Sequence, residues 1–348
     1  MRAPKLCVLA LILAGQAAYA VSYSVTLIEV ARTGPGIGTV AFGLNNFGQV
    51  TGYDANGLAF LWQNGVTTPL NAPYATNQGH DINDSGQIAL AGYPIPGVGY
   101  RWTNGTTTEL RPLPIGLGPG QSDSVLGINS AGWIVGSSLS FGTTYPVLWT
   151  GTGAQAICGS PGVGGVARAV NDVGQVTGQG CGAAGFFWQG GVGLTPIPIS
   201  GADINNAGVV AGQFPNGIGG GGAAAIWQNG VMTLITPEEG DEATAINDSG
   251  QVVGRTKLLP TYEDIPFVWD ATNGLQNLLD LVVLQPGWEF GVEPTDINDL
   301  GQILINGRNT VNSSSLSFLL TPVPIPPAVL LFGSTLGLMG VMRRKVSS

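Results

Sequence analysis

A short pattern that is repeated seven times constrains the fold of this chain more than any other feature. Each copy reads as an aliphatic residue, Asn, a small polar residue, any residue, Gly, any residue, and then Val or Ile. Successive copies begin 34 to 51 residues apart, and this spacing is typical of four-stranded propeller blades. The Asn residues of the seven copies are Asn45, Asn83, Asn129, Asn171, Asn205, Asn247 and Asn298.

The sixth copy indicates how one unit folds. Residues 243–246 and 251–254 predict two short strands on either side of the sequence Asn-Asp-Ser-Gly. This sequence predicts a tight hairpin, because Asn and Asp bond to their own backbone and Gly accepts the left-handed conformation. Residues 266–269 predict a third strand, and residues 275–279 predict a fourth after an Asn-Gly turn.

Seven such units predict an all-β fold, a seven-bladed β-propeller of four-stranded antiparallel blades over residues 21–322. The last unit lacks a fourth strand, whereas residues 22–30 form a spare strand before the first unit. We expect this spare strand to complete the seventh blade and to remove the open sheet edges. A β-solenoid is the alternative architecture, although its repeats are usually shorter and its strands parallel.

A Trp follows every copy of the pattern except the last, where Leu320 takes its place. One fixed position per blade predicts core packing between blades rather than a row of sugar-stacking sites. Trp133 and Trp288 lie outside this register. They are the better candidates for an exposed contact surface, although packing is expected there too. The series consists of Trp62, Trp102, Trp149, Trp188, Trp227 and Trp269.

Residues 40–322 resemble the HAF repeat family of probable extracellular repeat proteins. The resemblance rests on Ile-Asn-Asp-Ser-Gly-Gln-Val at residues 246–252 and on Ala-Phe-Leu-Trp at residues 59–62. The His that names the family is absent from every copy, and Leu58 stands at its position in the first. The family implies an extracellular repeat protein and contributes no reaction.

The first twenty residues predict a secretory signal peptide. Arg2 and Lys5 precede an apolar run at residues 6–14, and a small-residue cleavage site ends at Ala20, with Ala18 two positions before it. This order of charge, apolar run and small residues is that of an exported protein.

Residues 323–348 carry a second signal. An apolar run at residues 328–342 predicts a short transmembrane helix, and the basic residues after it would stay on the cytoplasmic side. The segment resembles the PEP-CTERM sorting signal, which implies an exosortase-type processing enzyme as a partner. Ile325 stands where the family usually has an acidic residue, and a plain membrane anchor is the alternative. The motif residues are Val323, Pro324, Ile325, Pro326, Pro327, Arg343, Arg344 and Lys345.

The part between the two signals is acidic. Five of the twelve Lys and Arg lie in the terminal segments, so residues 21–322 hold seven against twenty-one Asp and Glu, a net charge of −14. Such a domain repels nucleic acid and anionic lipid.

Cys158 and Cys181 flank one copy of the pattern and are expected to form a disulfide in an oxidising compartment, with two free thiols as the alternative.

The sequence contains little that indicates catalysis. His80 is the single His, which argues against a His-based triad and a multi-His zinc site. The Asp residues of the repeated turns are expected to form turns rather than to bind calcium. The densest acidic cluster is a weak candidate for a metal site, with Glu263 and Asp264 in a later loop of the same blade. That cluster consists of Glu238, Glu239, Asp241 and Glu242.

We therefore expect no catalytic residue and no cofactor, and a non-catalytic exported propeller that acts as a scaffold or binding protein of the bacterial envelope or exopolysaccharide matrix. An extracellular polysaccharide is the expected partner. The alternative is a polysaccharide-active hydrolase or lyase that uses an acidic pair in the ring's channel or loop face.

Overall fold

Each copy of the repeated pattern forms the tight turn of a β-hairpin. In the sixth copy the backbone N–H of Gly250 donates to the carbonyl of Asn247, and the N–H of Asn247 donates to the carbonyl of Gln251. Gly250 has a φ of +81°, in the left-handed region that Gly occupies without a steric cost. The predicted hairpin is thus confirmed.

The computed structural model describes residues 22–30, 38–70, 76–93, 98–111, 113, 122–159, 163–215, 222–236, 240–258 and 260–323. In these ranges the strands form seven antiparallel four-stranded sheets. The innermost strands of neighbouring sheets contact each other all the way round the molecule. The fold is therefore a seven-bladed β-propeller with a central channel, as the repeat predicts.

The strands are grouped here by their place in the blade, from the channel outward. The innermost strands are β2 (Val40–Leu44), β6 (Thr76–Ile82), β10 (Ser122–Ile128), β14 (Gly165–Val170), β18 (Ser200–Ile204), β22 (Glu242–Ile246) and β26 (Trp288–Ile297). The second strands are β3 (Val50–Tyr53), β7 (Ile88–Tyr93), β11 (Ile134–Ser140), β15 (Gln175–Gly180), β19 (Val210–Pro215), β23 (Val252–Leu258) and β27 (Ile303–Asn309).

The outer half of each blade follows the same order. The third strands are β4 (Ala59–Gln63), β8 (Gly99–Thr103), β12 (Thr143–Thr150), β16 (Ala183–Gln189), β20 (Gly222–Gln228), β24 (Glu263–Asp270) and β28 (Ser315–Val323). The outermost strands are β5 (Val66–Pro69), β9 (Thr106–Glu109), β13 (Gly153–Ala156), β17 (Gly193–Ile197), β21 (Val231–Leu234), β25 (Gly274–Asn277) and β1 (Ser22–Ile28). A 3₁₀ helix (Leu278–Leu281) follows β25.

The N-terminal strand closes the ring. β1 pairs antiparallel with β28, from Ser22 opposite Val323 to Ile28 opposite Ser317, and it is the outermost strand of the seventh blade. Ile28 is buried in a cluster that also contains Leu319 of blade seven and Phe60 of blade one. The predicted completion of the last blade is confirmed, and β1 also belongs to the core between the last and first blades.

Seven hydrophobic clusters hold neighbouring blades together. Five Trp residues of the repeated series are buried, as is Leu320, and Trp269 is half-buried. Trp133 packs half-buried against the cluster between blades three and four. The Trp288 ring lies 5.2 Å from that of Phe318. Packing is therefore the role of the out-of-register Trp residues as well.

Glu263 and Asp264 differ from the prediction that placed them in a loop. They are the first residues of β24 and pair with Leu258 and Lys257 of β23. The turn that precedes them contains Tyr262 with a φ of +58°. Because this turn is short, the pairing of β23 with β24 continues out to Leu258 and Glu263. The alternation of apolar residues in the sequence indicates a shorter strand.

Most residues of the two terminal signals lie outside the described ranges. These are Ala18 and Ala20, the prolines and Ile325 of the sorting motif, the predicted helix at residues 328–342, and the basic residues that follow it. Val323 is described, as the last residue of β28. In the described part of the chain, no helix is both long and apolar enough to span a membrane.

A disulfide joins Cys158, just after β13, to Cys181 in the turn between β15 and β16. The bridge spans 23 residues of sequence. Cross-linking a loop of this size lowers the entropy of the unfolded chain and stabilises the native state by about 2 to 4 kcal/mol.

We expect the double variant Cys158→Ser/Cys181→Ser to lose about 2 to 4 kcal/mol of unfolding free energy. Chemical denaturation of wild type and variant measures this difference. Mass spectrometry under non-reducing conditions provides the control, because the wild type should carry no alkylatable thiol at either position. An unchanged denaturation midpoint would contradict the expectation.

Candidate functional site: the central channel

A β-bulge interrupts every innermost strand just before the repeated pattern. A bulge leaves one residue without a partner in the ladder and redirects its side chain. Here the redirected residues of all seven blades line one cavity of about 540 Å³ in the channel. They are Phe42, His80, Leu126, Arg168, Ala202, Thr244 and Thr295.

A close approach of backbones accompanies the bulge. In five blades a Gly of the second strand lies against the carbonyl of the innermost strand beside the bulge, where a Cβ atom would collide with that oxygen. These residues are Gly52, Gly136, Gly178, Gly212 and Gly254. Blades two and seven form the bulge with Leu90 and Ile305 at this position, so Gly accompanies the bulge in most blades but is not required for it.

Three aspartates lie in the channel directly after the bulge. Asp81, Asp203 and Asp296 line both the cavity and the opening between the seven turns, so they lie between these two spaces. The remaining four blades have Gly or Ala at this position. The sequence interpretation missed these three carboxylates, although an acid immediately before the Ile-Asn of the repeat was a visible signal.

Each of the three carboxylates connects two blades. One oxygen accepts the N–H of the following residue, at 2.7 Å in all three cases. The other oxygen of Asp81 accepts the N–H of Ile128 at 2.8 Å, across the boundary to the third blade. The corresponding oxygens of Asp203 and Asp296 accept N–H groups of the sixth and first blades in the same way.

Burial changes the protonation of these groups. It raises the pKa of the Asp81 carboxyl to about 7 and that of Asp203 to about 6, against the opposing effect of the backbone N–H bonds. Burial also raises the pKa of Asp296 well above its usual range, and the charges of Asp81 and Asp203 add to this shift. Burial lowers the pKa of His80 to about 4, so its imidazole is neutral at physiological pH.

We expect the propeller to lose stability as the pH rises from about 5 to about 8. The unfolded carboxyls ionise near 3.8, so between that value and their raised folded pKa the native state binds more protons. The free energy of unfolding then falls with rising pH, by about 1.4 kcal/mol per pH unit for each extra proton. His80 opposes this only below about pH 6.5, where its lowered pKa costs the folded state a proton.

Thermal melts followed by circular dichroism across this pH range measure the effect. Asp123 and Glu242, whose pKa values are also raised by burial, act in the same direction, whereas Asp270 has a lowered pKa and acts at lower pH. Asp203→Asn should flatten the pH dependence. A melting temperature that rises between pH 5 and pH 8 would contradict the assignment.

A closed circle of hydrogen bonds surrounds the channel at the turns. The Nδ2 atom of each repeated Asn donates to the backbone carbonyl of the repeated Asn in the next blade, at 2.8 to 3.1 Å. The last contact joins Asn298 to Asn45 and completes the circle. All seven Asn side chains are buried, so these bonds are shielded from water.

The same side chains also form the turns. In the fifth blade, Oδ1 of Asn205 accepts the N–H groups of Ala207 and Val209 at 3.1 and 3.0 Å. The prediction that these Asn residues form turns is confirmed. The contact between blades was missed, because the pattern within one unit does not show which carbonyl lies beside Nδ2.

The residue after each repeated Asn belongs to a second, exposed set of contacts. For example, Asn206 donates through its N–H to Asp248, and its Nδ2 donates to Asp172 and Asp248. The carboxylates of these turns therefore accept N–H groups of neighbouring blades.

Two members of the predicted acidic cluster, Asp241 and Glu242, lie within the described residues. Glu238 and Glu239 lie outside the described residues. Asp241 is fully buried and accepts hydrogen bonds from Oγ1 of Thr256 at 2.8 Å and from the N–H of Lys257 at 3.2 Å. Glu242 lies in β22 and lines the channel cavity. Within the described residues, no three His, Cys, Asp or Glu side chains are arranged to hold a metal ion.

The lining of the cavity combines charge with aromatic surface. Arg255 lies 3.6 Å from Glu242 and 3.8 Å from Glu293, and both of these acids line the cavity. The rings of Phe42 and His80 are stacked, with centroids 5.3 Å apart and planes at 6°. The cavity therefore offers five carboxylates, one stacked aromatic pair and the guanidinium of Arg168 to any molecule that enters it.

Comparisons with known proteins assign no family to this chain. No family model matches the chain, and no curated protein matches it. A solved structure of YCF48 bound to a D1 peptide is 13% identical, with a TM-score of 0.49 over 87% of this chain and 96% of that one.

Two further solved structures are similar. TolB from Acinetobacter baumannii is 13% identical, with a TM-score of 0.42 over 81% of this chain and 63% of that one. The β-propeller domain of the Trilobed protease from Pyrococcus furiosus is 11% identical, with a TM-score of 0.36 over 83% of this chain and 86% of that one.

Proposed function

We propose that the chain is a non-catalytic, exported β-propeller that acts as a binding or scaffold protein in the bacterial envelope or exopolysaccharide matrix. The observation that carries the non-catalytic part is the bonding of the channel carboxylates. Both oxygens of Asp81, Asp203 and Asp296 accept backbone N–H groups. A carboxylate fixed in this way connects blades and is poorly placed to move toward a substrate.

Export is supported by three features of the chain. The basic and apolar start with Ala18 and Ala20 has the order of a secretory signal. The Cys158–Cys181 disulfide belongs to the kind of bond that persists outside the reducing cytosol. The proline motif, apolar run and basic end of residues 323–345 resemble a sorting signal that an exosortase-type enzyme processes.

Fractionation of cells that express the full chain, with mass spectrometry of both ends of the mature protein, tests this proposal. We expect a chain that begins at Val21, lacks the apolar run at residues 328–342, and is found in the envelope or matrix fraction. A matched variant in which Arg343, Arg344 and Lys345 are replaced by Ala should be exported but not processed. A chain with an intact N-terminus in the cytoplasm would overturn the proposal.

Binding is tested separately. Isolated matrix polysaccharide should retain the mature protein without any release of reducing ends. A full-length protein that stays in the membrane and binds no polysaccharide would leave an anchored propeller without a matrix role.

One observation favours a second candidate, a polysaccharide-active hydrolase or lyase. Five carboxylates line one cavity, and the pKa of Asp81, raised to about 7 by burial, is suited to proton donation near neutral pH. Reducing-end assays on isolated matrix polysaccharide test this alternative. Activity that is lost in Asp81→Asn but kept in the exposed-turn variant Asp172→Asn would support the enzyme.

A further inference from the structure

β1 begins and β28 ends at the same end of the propeller, the end that carries the repeated turns. We call this end the turn face. β28 runs toward it, because Leu320 pairs with Ile303, the first strand residue after the turn of blade seven. A Cβ atom on Gly301 would lie 3.4 Å from Cγ of Pro322, so the end of β28 lies against that turn. Ser22 pairs with Val323, which places the start of β1 there as well. The turns of this face are residues 45–49, 83–87, 129–133, 171–175, 205–209, 247–251 and 298–302.

The position of Val323 limits how the propeller can lie on a membrane. Four residues separate Val323 from the apolar run at residues 328–342 that predicts a transmembrane helix. A fully extended chain covers at most about 3.6 Å per residue, so this link reaches about 18 Å. β28 itself, from Ser315 to Val323, extends about 26 Å at roughly 3.3 Å per residue. The end of the propeller at Ser315 is therefore too far from the link to lie on the membrane that the apolar run enters.

Two large apolar side chains are exposed on the turn face beside the end of β28. Phe47 is 65% exposed and Leu300 is 64% exposed. They occupy the same position of the turn in blades one and seven, and a hydrogen bond of 2.9 Å from Nδ2 of Asn46 to Asp299 joins these two turns. The other five blades have Ser, Ala or Val at this position. Contact with a lipid interface removes such apolar surface from water and is favourable.

The rim of blade seven is the other surface within reach of the membrane. Its exposed side chains in β1 are those of Ser22, Ser24 and Thr26. Hydroxyl groups lose hydrogen bonds to water when they enter an apolar environment. The rim therefore offers a poorer contact with lipid than the turn face does.

The charges of the turn face determine which lipids it suits. None of the seven repeated turns contains Lys or Arg, whereas four contain an exposed Asp. Anionic headgroups attract basic segments and repel acidic ones, so apolar contact with zwitterionic headgroups is the favourable case. The four residues are Asp84, Asp172, Asp248 and Asp299.

We propose that the turn face docks on a membrane of zwitterionic lipid while the chain retains its apolar run, with Phe47 and Leu300 in the headgroup region. This inference rests on the export and anchoring of the proposed function, and it adds the face and the lipid. Glu242 lines the channel cavity and is the first residue of β22, at the end of that strand away from the turn. The part of the cavity that Glu242 lines then faces away from the membrane, where a matrix polysaccharide can reach it.

Fluorescence quenching in vesicles tests the proposal. The chain from residue 21 to residue 348 is reconstituted in phosphatidylcholine vesicles that contain a spin-labelled lipid as the quencher. A fluorophore is attached at Leu300→Cys or, as the matched control, at Val311→Cys, which is 86% exposed in the turn between β27 and β28 at the opposite end. The disulfide holds both native cysteines of this chain, so labelling is specific. We expect lipid to quench the label at position 300 and not the label at position 311.

Lipid charge gives a second measurement. Replacement of part of the phosphatidylcholine by anionic phosphatidylglycerol should weaken the quenching at position 300, because the acidic turns are then repelled. Quenching that does not change with phosphatidylglycerol would show that these turns do not face the lipid, and would overturn the proposal.

A double variant shows whether the two apolar side chains hold the face on the lipid. Phe47→Ser/Leu300→Ser introduces the residue type that blade two has at this position, Ser85, so the turns should fold. We expect a fluorophore at Ser85→Cys to be quenched in the otherwise unchanged chain and to lose its quenching in the double variant. The matched control is Phe141→Ser/Val311→Ser, which removes an exposed aromatic and an exposed aliphatic side chain from the opposite end. It should keep the quenching.

The outcomes distinguish docking from anchoring. Quenching at position 311 but not at position 300, or equal loss of quenching in the two double variants, would overturn the docking. Vesicles that retain the chain without quenching at either position would also overturn it, although anchoring would still stand. A chain that does not float with the vesicles would overturn both. If Phe47→Ser/Leu300→Ser unfolds, as circular dichroism would show, the comparison of positions 300 and 311 alone decides the outcome.

Discussion

Removal of residues 22–30 is expected to abolish the cooperative thermal unfolding transition of the propeller. The deletion removes β1, which pairs along its length with β28, and with it the buried side chains of Tyr23 and Ile28. Loss of two large buried side chains costs about 2 to 5 kcal/mol each, and whole domains of this kind are stable by about 5 to 15 kcal/mol. The open edge of β28 would also promote aggregation.

Circular dichroism and size-exclusion chromatography measure this loss. Thr26→Ala is the matched control, because Thr26 lies in the same strand with an exposed side chain and should melt as the wild type does. A synthetic peptide with the sequence of residues 22–30 should restore the transition when added to the truncated chain. A truncated protein that melts at the wild-type temperature would show that β1 contributes little to closure.

The second large effect is expected at the buried Asn circle. Asn205 accepts two N–H groups of its own turn and donates to the carbonyl of Asn247 in the next blade, at 3.1 Å. Asn205→Ala should cost about 3 kcal/mol of unfolding free energy, because three backbone groups lose a buried partner. Asn205→Asp keeps the acceptor for the turn but loses the donor and buries a charge, and should cost about 3 kcal/mol as well.

The Asp variant distinguishes a turn from a connection between blades. If Asn205 only formed its turn, Asp would serve almost equally well, because both side chains bond to the backbone in this way. Asn229→Asp is the control, since Asn229 is exposed in the outer turn of the same blade. Chemical denaturation of the three variants gives the comparison, and an Asn205→Asp variant as stable as the control would contradict the connecting role.

The sequence predicts the fold well because its repeat encodes local structure. A hairpin turn is formed by a few adjacent residues, so Asn247 and Gly250 are enough to predict the turn that the structure contains. Counting the strands then leaves one missing in the last unit and one to spare at the start. Pairing the two requires no knowledge of distances, and this is why the closure through β1 could be predicted.

The channel could not be predicted in the same way. The partner of each Asn donor lies in another blade, 34 to 51 residues away, or 253 for the contact that closes the circle. The bulge beside His80 and Asp81 is a property of how β6 pairs with β7, which those two residues do not indicate by themselves. The sequence predicts a site at acidic residues that are adjacent along the chain. Asp81, Asp203 and Asp296 lie in three different blades and line one cavity only in the folded ring.

The direction of the Asn contacts has a consequence for how such molecules can be assembled. Every blade presents a donor on one side and an acceptor on the other, and all seven contacts run in the same sense. This is the geometry of a heterologous, head-to-tail interface, which forms a closed ring when the rotation per unit completes a circle and a filament when it does not. The propeller is the one-chain counterpart of a cyclic oligomer, in which the blades are interchangeable at these contacts and the rotation per blade sets their number.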